Sequence, residues 1–332
     1  MQKNYLQKII CFLSFCVLLA GCATNYNRDP HVQQFIQQMV TEHNYNQQQL
    51  TTLFSTFKPN PKIIQAMNTP HEALPWYRYR TIFLTTKREQ DGAQFWQQHA
   101  QTLAFAQQKY GVPAQIIVAI LGVETSYGAG EGKYNAFNTL STLAFDYPPR
   151  EKYFQSELEQ FFLLTQDESL NPNSVLGSYA GALGQPQFMP SSYRHYAVSY
   201  RGNAAPDLFH NSDDAIVSIA NYLKQYGWQA GGLVATPAHV RGQAYNIVLS
   251  RGNHAKWTVA HLANYGITPK VHLAGQQEAM LYALQQPTAP EYWLGLHNFH
   301  VIMGYNSSPL YAMAVYQLSE AIKHDYLTRQ RN

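Results

Sequence analysis

A nearly continuous apolar segment in the middle of the chain ends in a single carboxylate. The segment IIVAILGV, residues 116–123, leads directly to Glu124. Pro113 suits the first position of a helix and Gly128 suits its exit, so we predict a helix over 113–126. Glu124 would then lie in the last turn of a helix that otherwise belongs in a protein core.

The expected position of Glu124 favours its protonated form. Burial penalises an unpaired carboxylate and the negative end of a helix repels it, so both effects raise the pKa of Glu124. A carboxyl group that keeps its proton near neutral pH can act as a general acid. The alternative is a structural role, in which Glu124 borders a core helix and pairs with a nearby cation.

The first residues have the order of a lipoprotein signal peptide. Two lysines precede an apolar run over 9–19, which is shorter than the roughly 20 residues needed to span a bilayer. The run ends in LAGC, residues 19–22, which resembles a bacterial lipobox. We expect a signal peptide over 1–21, a lipid on Cys22 and a polar tether over 22–30. The alternative is an ordinary signal peptide whose cleavage site happens to end in cysteine.

The residues around Cys22 also bear on location and stability. Ala23, in place of Asp, resembles lipoproteins that are sent to the outer membrane of a Gram-negative cell, so we expect a lipid-anchored protein on its periplasmic face. Cys11 and Cys16 lie within the signal peptide, which leaves no disulfide partner in the mature chain. We expect packing to supply the stability of a chain of this size.

Composition excludes several function classes. A formal charge of +3 without a run of Lys or Arg argues against nucleic-acid binding, which needs a clustered basic face. The 13 His residues include no His-Glu-x-x-His pattern, and the glycines of GAGEG, residues 128–132, are misplaced for dinucleotide binding. We therefore expect no metal and no cofactor. The 24 Tyr and 5 Trp residues instead suit contact with sugar rings.

Apolar residues spaced three and four apart predict a mainly α-helical protein. The predicted helices cover 32–39, 47–57, 92–110, 113–126, 153–166, 212–226 and 309–324. Between 228 and 302, glycine is more frequent and short β-branched or aromatic pieces occur, such as 245–249 and 299–302. This change predicts a small α/β insert.

A second segment combines glycines with hydrogen-bonding side chains. The sequence GSYAGALGQPQFMPSSY, residues 177–193, has too many glycines for an ordinary helix interior. Glycine lets a ligand approach the backbone, and Ser178 and Gln187 could hydrogen-bond sugar hydroxyls or an acetamido group. We interpret the segment as one wall of a cleft, with a purely structural loop as the alternative.

With both segments considered, the chain resembles the membrane-bound lytic murein transglycosylase B family. The resemblance extends from Trp76 to the C-terminal helix and includes GVET at 122–125 and QFMPSS at 187–192. It also includes Tyr-Asn at 305–306, shortly before YAMAV at 311–315.

The family implies a lysozyme-like helical core with a flanking helical domain and a small α/β insert. On this chain the core would cover 111–227, the flanking domain 31–110 and the insert 228–302. A C-terminal helical segment over 303–332 would return to the core.

The resemblance also assigns site residues. Glu124 matches the family's single catalytic acid/base. Positions that line the glycan groove in the family match Tyr79, Tyr153, Ser178, Gln187, Phe188, Tyr222, Tyr305, Asn306 and Tyr311. The family often has two arginines before the equivalent of Tyr153, whereas this chain has Pro149-Arg150. We expect Arg150 to contact substrate, with weaker binding of the stem peptide or other acidic groups.

Some family members carry a calcium loop, and this chain departs from it. Such loops commonly place oxygen ligands at the first, third and fifth positions. Ser199, Arg201 and Asn203 occupy those positions here, and a cation at the third would repel the metal. We therefore expect no tight calcium site, with nearby carboxylates acting as turn or helix-start residues: Asp207, Asp213 and Asp214.

The resemblance implies an enzyme that cleaves peptidoglycan between N-acetylmuramic acid (MurNAc) and N-acetylglucosamine (GlcNAc). Glu124 would protonate the glycosidic oxygen and then accept a proton from the muramyl O6 hydroxyl, which closes a 1,6-anhydro ring. Ser178 and Asn306 could orient the acetamido group. The expected partners are glycan strands, the membrane through the lipid, and other cell-wall enzymes.

Two other functions stay open at this point. One is a hydrolytic muramidase, which uses a second carboxylate to activate water. Its candidates are Asp146, Glu151 and Glu157. The other is a lipoprotein that binds peptidoglycan without cleaving it.

Overall fold

Helices account for most of the chain in a computed structural model, which describes residues 26–69, 73–202, 204–252 and 257–331. The helices are α1 (Pro30–His43), α2 (Gln47–Ser55), α3 (Pro61–Met67), α4 (Trp76–Phe83), α5 (Thr86–Gln98), α6 (Ala100–Tyr110), α7 (Ala114–Thr125), α8 (Ala136–Asp146), α9 (Glu151–Asp167), α10 (Pro190–Tyr196), α11 (Ser212–Gln225), α12 (Tyr245–Ser250), α13 (Val259–Ala263), α14 (His297–Tyr305) and α15 (Pro309–Arg329). The strands are β1 (Tyr134–Asn135), β2 (Leu176–Gly177), β3 (Ala235–Val240), β4 (Trp257–Thr258), β5 (Ile267–Pro269), β6 (Glu278–Leu284) and β7 (Glu291–Gly295). The predicted fold class, mainly α with a small sheet, is confirmed.

The chain folds into two compact units, one ending at Thr56 and the other beginning at Phe57. The described part of the first unit contains α1 and α2, where Phe35 packs edge-on against Phe54. The second unit contains all elements from α3 onward. The predicted signal peptide and Cys22 lie outside the described residues, and the predicted domain borders stay predictions.

Helix α7 is the centre of the second unit. It contacts α5, α6, α11 and α15, and Ala114 and residues 116–123 are buried. A helix that is apolar on all sides is stable only when neighbours cover all of it, which explains the uninterrupted apolar segment. The predicted helix over 113–126 is confirmed within one residue at each end. Pro113 itself is extended and caps the helix.

The end of α7 is set by two residues in the left-handed region. Ser126 and Tyr127 have φ values of 50° and 65°. The Tyr127 hydroxyl donates to the Arg88 carbonyl oxygen at 2.6 Å. The ring folds back over α7 at Gly122, where an added Cβ would lie 2.6 Å from the Tyr127 hydroxyl oxygen. Glycine is therefore required in the apolar segment so that the chain can reverse directly after Glu124.

The small α/β region has a sheet and a core of its own. Its five strands are antiparallel in the order β4-β6-β7-β3-β5. Leu262, Ile267, Leu281 and Leu294 belong to the buried cluster beneath this sheet. The predicted α/β insert therefore contains a five-stranded sheet with its own hydrophobic core.

Three local predictions need correction. The pieces 245–249 and 299–302 are parts of α12 and α14 rather than extended segments. Phe299 and Ile302 are both buried and three residues apart, a helical spacing that so short a piece does not distinguish from a strand. The predicted helix over 92–110 is interrupted at His99, whose Nδ1 lies 2.9 Å from Asp213 Oδ1.

None of the helices in the described ranges is both long and apolar enough to cross a membrane.

The contact between Gly122 and Tyr127 predicts a position-specific effect on stability. Gly122→Ala should lower the free energy of unfolding by about 1–3 kcal/mol, because the new methyl group overlaps the Tyr127 ring. Gly130→Ala is the matched control, since the nearest atom to its added Cβ is 3.7 Å away. The control should be neutral or stabilising by up to about 1 kcal/mol. Urea unfolding of both variants measures the difference, and equal midpoints would contradict the proposed packing.

Candidate active site

Glu124 lies half-buried in the last turn of α7, where the tyrosine at the start of α15 contacts it. The Tyr311 hydroxyl donates to Glu124 Oε1 at 2.6 Å. Tyr311 is held by the helix cap before it, because Ser308 Oγ accepts from the Tyr311 amide and Asn306 Oδ1 accepts from the Ser308 amide at 3.2 Å. The YN-x₄-Y pattern therefore builds a cap that directs a phenol at the carboxylate.

Burial keeps the phenols beside Glu124 neutral. It raises the pKa of Tyr311 and of Tyr305 well above the usual value, and the negative charge of Glu124 raises both further. A neutral phenol that donates to a carboxylate favours the ionised form, whereas burial of the carboxyl group favours the protonated form. The two influences on Glu124 oppose each other, so its protonation near neutral pH stays a prediction.

An aromatic wall extends from Tyr311 along one side of the site. Tyr305 stacks in parallel with Tyr311, with ring centres 6.4 Å apart, and lies 5.7 Å from Phe188 and 4.9 Å from Tyr222. Hydrogen bonds fix two of these rings, from Tyr305 to the Pro186 carbonyl at 2.5 Å and from Tyr222 to the Gly304 carbonyl at 2.6 Å. Four of the predicted residues thus form one continuous aromatic cluster, of which Tyr305 is the least buried: Phe188, Tyr222, Tyr305 and Tyr311.

Tyr226 continues this wall and was missed in the sequence. It stacks on Tyr222 with ring centres 4.3 Å apart and remains 44% exposed. Tyr196 packs edge-on against Tyr222 at 4.7 Å. The signal was present, since Tyr222 and Tyr226 are four residues apart and share one face of a helix.

The glycine-rich segment contributes polar side chains that hydrogen bonds within its own loop hold in place. Ser178 Oγ accepts from the Ala182 amide at 3.0 Å and from the Ala180 amide at 3.3 Å. Ser178 therefore stabilises its own loop as an acceptor and keeps its hydroxyl proton for a ligand. The interpretation as a structural loop and the interpretation as the wall of a cleft are therefore compatible at Ser178.

Gln187 is also held by its loop. It has a positive φ of 52°, and its Nε2 donates to the carbonyl oxygens of Glu131 at 3.0 Å and Gly184 at 2.8 Å. Both amide protons are used in this way, which leaves Oε1 as an acceptor. Thr125, next to Glu124, donates to the Gln185 carbonyl at 3.0 Å and so ties the end of α7 to the same loop.

The other predicted groove residues differ in burial. Tyr79 is 1% exposed, tilts against Phe83 with ring centres 5.2 Å apart, and is close enough to Tyr311 to influence its pKa. The Arg150 guanidinium stacks 4.1 Å from the centre of the half-exposed Tyr153 ring. Burial raises the pKa of Tyr153 to about 12. Tyr79 is thus a buried neighbour of Tyr311, and the Arg150–Tyr153 pair lies at the surface.

Glu157 is a structural carboxylate. It is 4% exposed, and its two oxygens accept from the Ser191 amide at 2.9 Å and from the Ser191 hydroxyl at 2.6 Å. A buried carboxylate with both oxygens bonded to the first turn of α10 has little capacity to activate water. Of the other two muramidase candidates, Glu151 accepts from Gln155 at 3.0 Å and Asp146 is the half-buried last residue of α8.

The three carboxylates that we predicted to be turn or helix-start residues accept hydrogen bonds from the protein. Asp214 is 2% exposed and accepts from the Tyr200 amide at 2.7 Å and the Asp207 amide at 3.0 Å. Asp213 Oδ1 bonds His99 and Thr102. Asp207 accepts from two amides of its own turn. Among the described residues, no group of three or more His, Cys, Asp or Glu side chains could hold a metal ion.

Comparison with known proteins identifies the family. The family described as "Transglycosylase SLT domain" matches residues 27–320. Membrane-bound lytic murein transglycosylase B of Escherichia coli strain K12 is 42% identical over 310 residues, which cover 90% of this chain and 84% of that protein. The chain belongs to the lytic murein transglycosylase family. The predicted family and the predicted activity on peptidoglycan are confirmed.

Solved structures agree with this assignment of the lytic murein transglycosylase fold. Lytic transglycosylase SltB1 of Pseudomonas aeruginosa, solved in a catenated form, has a TM-score of 0.86 and 40% identity. The match covers 91% of this chain and 99% of SltB1. SltB3 of the same organism, in complex with NAG-anhNAM-pentapeptide, has a TM-score of 0.77 and 29% identity, over 88% of this chain and 78% of SltB3.

The hydrogen bonds of Asp214 support the prediction that calcium does not bind tightly. Two backbone amides already occupy its oxygens, and Arg201 adds a positive charge to the same loop. The melting temperature should therefore be the same with a chelator and with micromolar calcium. A site filled at a hundred times its Kd would add about 2.7 kcal/mol. A calcium-dependent rise in melting temperature would show that the prediction is wrong.

Proposed function

We propose that this lytic murein transglycosylase cleaves the β-1,4 bond between MurNAc and GlcNAc with Glu124 as its single acid and base. The product would carry a 1,6-anhydro-MurNAc end. The observation that supports this most directly is the contact at Glu124, where a neutral phenol rather than a second carboxylate meets Oε1. No cofactor takes part in the proposed reaction.

The first step is proton transfer from Glu124 to the glycosidic oxygen. The bond between C1 of MurNAc and O4 of GlcNAc breaks, and GlcNAc leaves with the proton as a hydroxyl group. Positive charge develops at C1, where the muramyl acetamido group or the field of the groove stabilises it. The Glu124 carboxylate formed in this step lies close to that charge and adds to its stabilisation.

The second step restores Glu124. Its carboxylate takes the proton from the muramyl O6 hydroxyl while O6 forms a bond to C1. Glu124 gains one proton in this step and lost one in the first, so no water is consumed. We assign Tyr311 the role of a positioning residue, because its hydrogen bond fixes Glu124 Oε1.

The polar groups of the site keep hydrogen-bonding capacity that could orient a substrate. Ser178 retains a hydroxyl proton and Gln187 retains Oε1 as an acceptor. The Asn306 oxygen accepts from the Ser308 amide, which leaves the Asn306 amino group as a donor for an acetamide carbonyl. We propose that Ser178 and Asn306 hold the acetamido group, while the aromatic wall contacts the sugar rings.

The peripheral residues and the N-terminus complete the proposal. Arg150, stacked on Tyr153, offers a cation to acidic groups of the stem peptide. A lipid on Cys22 would anchor the enzyme to the outer membrane, facing the periplasm, in agreement with the LAGC sequence and with the name of the membrane-bound E. coli relative. More than one acyl chain is needed for stable anchoring. Other cell-wall enzymes are proposed as further partners.

Replacement of Glu124 tests this function. Glu124→Gln should keep the fold and glycan binding but lose turnover by about 10⁴-fold or more, since typical general acid–base catalysis contributes 10²–10⁴-fold and this residue acts twice. Glu151→Gln and Asp146→Asn are the controls and should keep activity. Mass spectrometry of products from purified sacculi measures turnover and identifies the new ends.

Each other outcome would identify a different function. Reducing MurNAc ends from the wild-type enzyme, together with loss of activity in Asp146→Asn or Glu151→Gln, would indicate a muramidase. Binding without any product would indicate a scaffold. Full activity of Glu124→Gln would place the catalytic acid at another residue.

A further inference from the structure

A polar pocket outside the aromatic wall lies at the amino end of α8. It has a volume of about 330 Å³ and is lined mostly by polar side chains, with Pro59 and Ile63 as apolar members. Six of its lining residues carry an ammonium, amide or aliphatic hydroxyl group: Lys58, Asn60, Lys133, Asn135, Asn138 and Thr139. We call this cavity the α8 pocket.

Two of the three asparagines that line the α8 pocket keep amide donors, whereas Asn135 donates to the Asn173 carbonyl at 2.7 Å. Backbone amides occupy their oxygens: Asn60 accepts from Lys62 at 3.1 Å, Asn135 from Asn138 at 2.8 Å, and Asn138 from Lys58 at 3.1 Å. Because an N–H group must face the oxygen, these bonds also fix the orientation of each side-chain amide. The amino groups of Asn60 and Asn138 therefore remain as donors.

The charges around the α8 pocket have one sign. Lys58 and Lys133 are both exposed, no Asp or Glu lines the pocket, and neither lysine forms an ion pair with any described residue. The amino end of α8, which has 11 residues, adds partial positive charge. Two ammonium groups, two amide donors and a helix end together favour an anion.

Thr139 provides an independent sign of a ligand. Its side chain is completely buried in α8 and lines the pocket, yet its Oγ1 has no hydrogen-bond partner among the described residues. A threonine inside a helix commonly bonds the carbonyl one turn earlier, as Thr142 does with Asn138 at 2.7 Å. A buried hydroxyl without a partner is unfavourable, so a missing partner points to a bound group.

The α8 pocket adjoins the glycan groove through a short stretch of chain. Strand β1 pairs with β2, with Tyr134 opposite Gly177, the residue before Ser178. Gln187 bonds the carbonyl oxygen of Glu131, two residues before Lys133. The chain that lines the pocket is therefore hydrogen-bonded to the segment that carries Ser178 and Gln187.

We propose that the α8 pocket binds a carboxylate of the stem peptide carried by the glycan strand. The proposal rests on the proposed function, since it assumes that a glycan lies in the groove. A sugar hydroxyl requires acceptors as well as donors, whereas a carboxylate accepts only, which matches a pocket whose asparagine oxygens are already occupied. Lys58 and Lys133 would attract the carboxylate, and Asn60, Asn138 and Thr139 would donate to it.

Binding measured in the Glu124→Gln background tests the pocket without turnover. The Kd for peptide-bearing glycan strands should rise about three- to tenfold in Lys58→Gln/Lys133→Gln, as expected for loss of two exposed charges. The Kd for strands stripped of peptides by an amidase should not change. Lys62→Gln/Lys270→Gln removes the same charge from exposed positions outside the pocket and should change neither value.

A second variant separates binding from stability. Thr139→Val keeps the shape of the side chain and removes the unpaired hydroxyl, so it should keep or raise the melting temperature while raising the Kd for peptide-bearing strands about two- to fivefold. An unchanged Kd in both the lysine and Thr139 variants would overturn the proposal. An equal rise for stripped strands would assign the pocket to a sugar and also overturn it. Failure of the unmodified Glu124→Gln protein to bind either strand would instead contradict the proposed function.

Discussion

The reversal of the chain at the end of α7 is the constraint on which the site depends. Glu124 is half-buried at that point because the helix before it is covered by neighbours on several sides. Tyr127 folds back over Gly122, and Thr125 binds the Gln185 carbonyl, so the last turn of α7 is fixed to the core and to the glycine-rich loop. The carboxylate thus has a defined position before any substrate arrives, which is what proton transfer requires.

The site is built from residues that first satisfy the fold. Ser178 and Gln187 each complete the hydrogen bonds of their own loop, and Asn306 completes a helix cap. Each side chain keeps one hydrogen-bonding group for a ligand. These are the hydroxyl proton of Ser178, the amide oxygen of Gln187 and the amino group of Asn306. Rigid placement and chemical availability therefore come from the same side chains, and the α8 pocket uses its asparagines in the same way.

The sequence predicted the elements whose signal is local and missed those that depend on distant contacts. Helix α7 and Glu124 in its last turn followed from an apolar segment with a proline before it and glycines after it. His99, where the predicted helix is interrupted, contacts Asp213, which lies more than a hundred residues later, and no local pattern indicates this contact. The pieces 245–249 and 299–302 were too short for a helical period to be distinguished from a strand.

The same distinction applies within the site. The resemblance to the family named Tyr311, but only the folded chain shows its hydroxyl on Glu124 Oε1. The sequence made Glu157 a candidate for a second catalytic carboxylate. In the structure its two hydrogen bonds with Ser191 give it a structural role. The donors of the α8 pocket come from segments more than seventy residues apart, so their convergence could not be predicted from spacing.

Isotope analysis of the reaction in H₂¹⁸O tests the central claim most directly. The claim is that Glu124 is the single catalytic carboxylate and that the muramyl O6, rather than water, attacks C1. Purified sacculi would be digested by the wild-type enzyme in labelled water, and the released muropeptides would be weighed by mass spectrometry. If O6 captures C1, the new MurNAc ends will contain no ¹⁸O and will lack the mass of one water. Incorporation of one ¹⁸O atom at each new end would contradict the single-carboxylate mechanism.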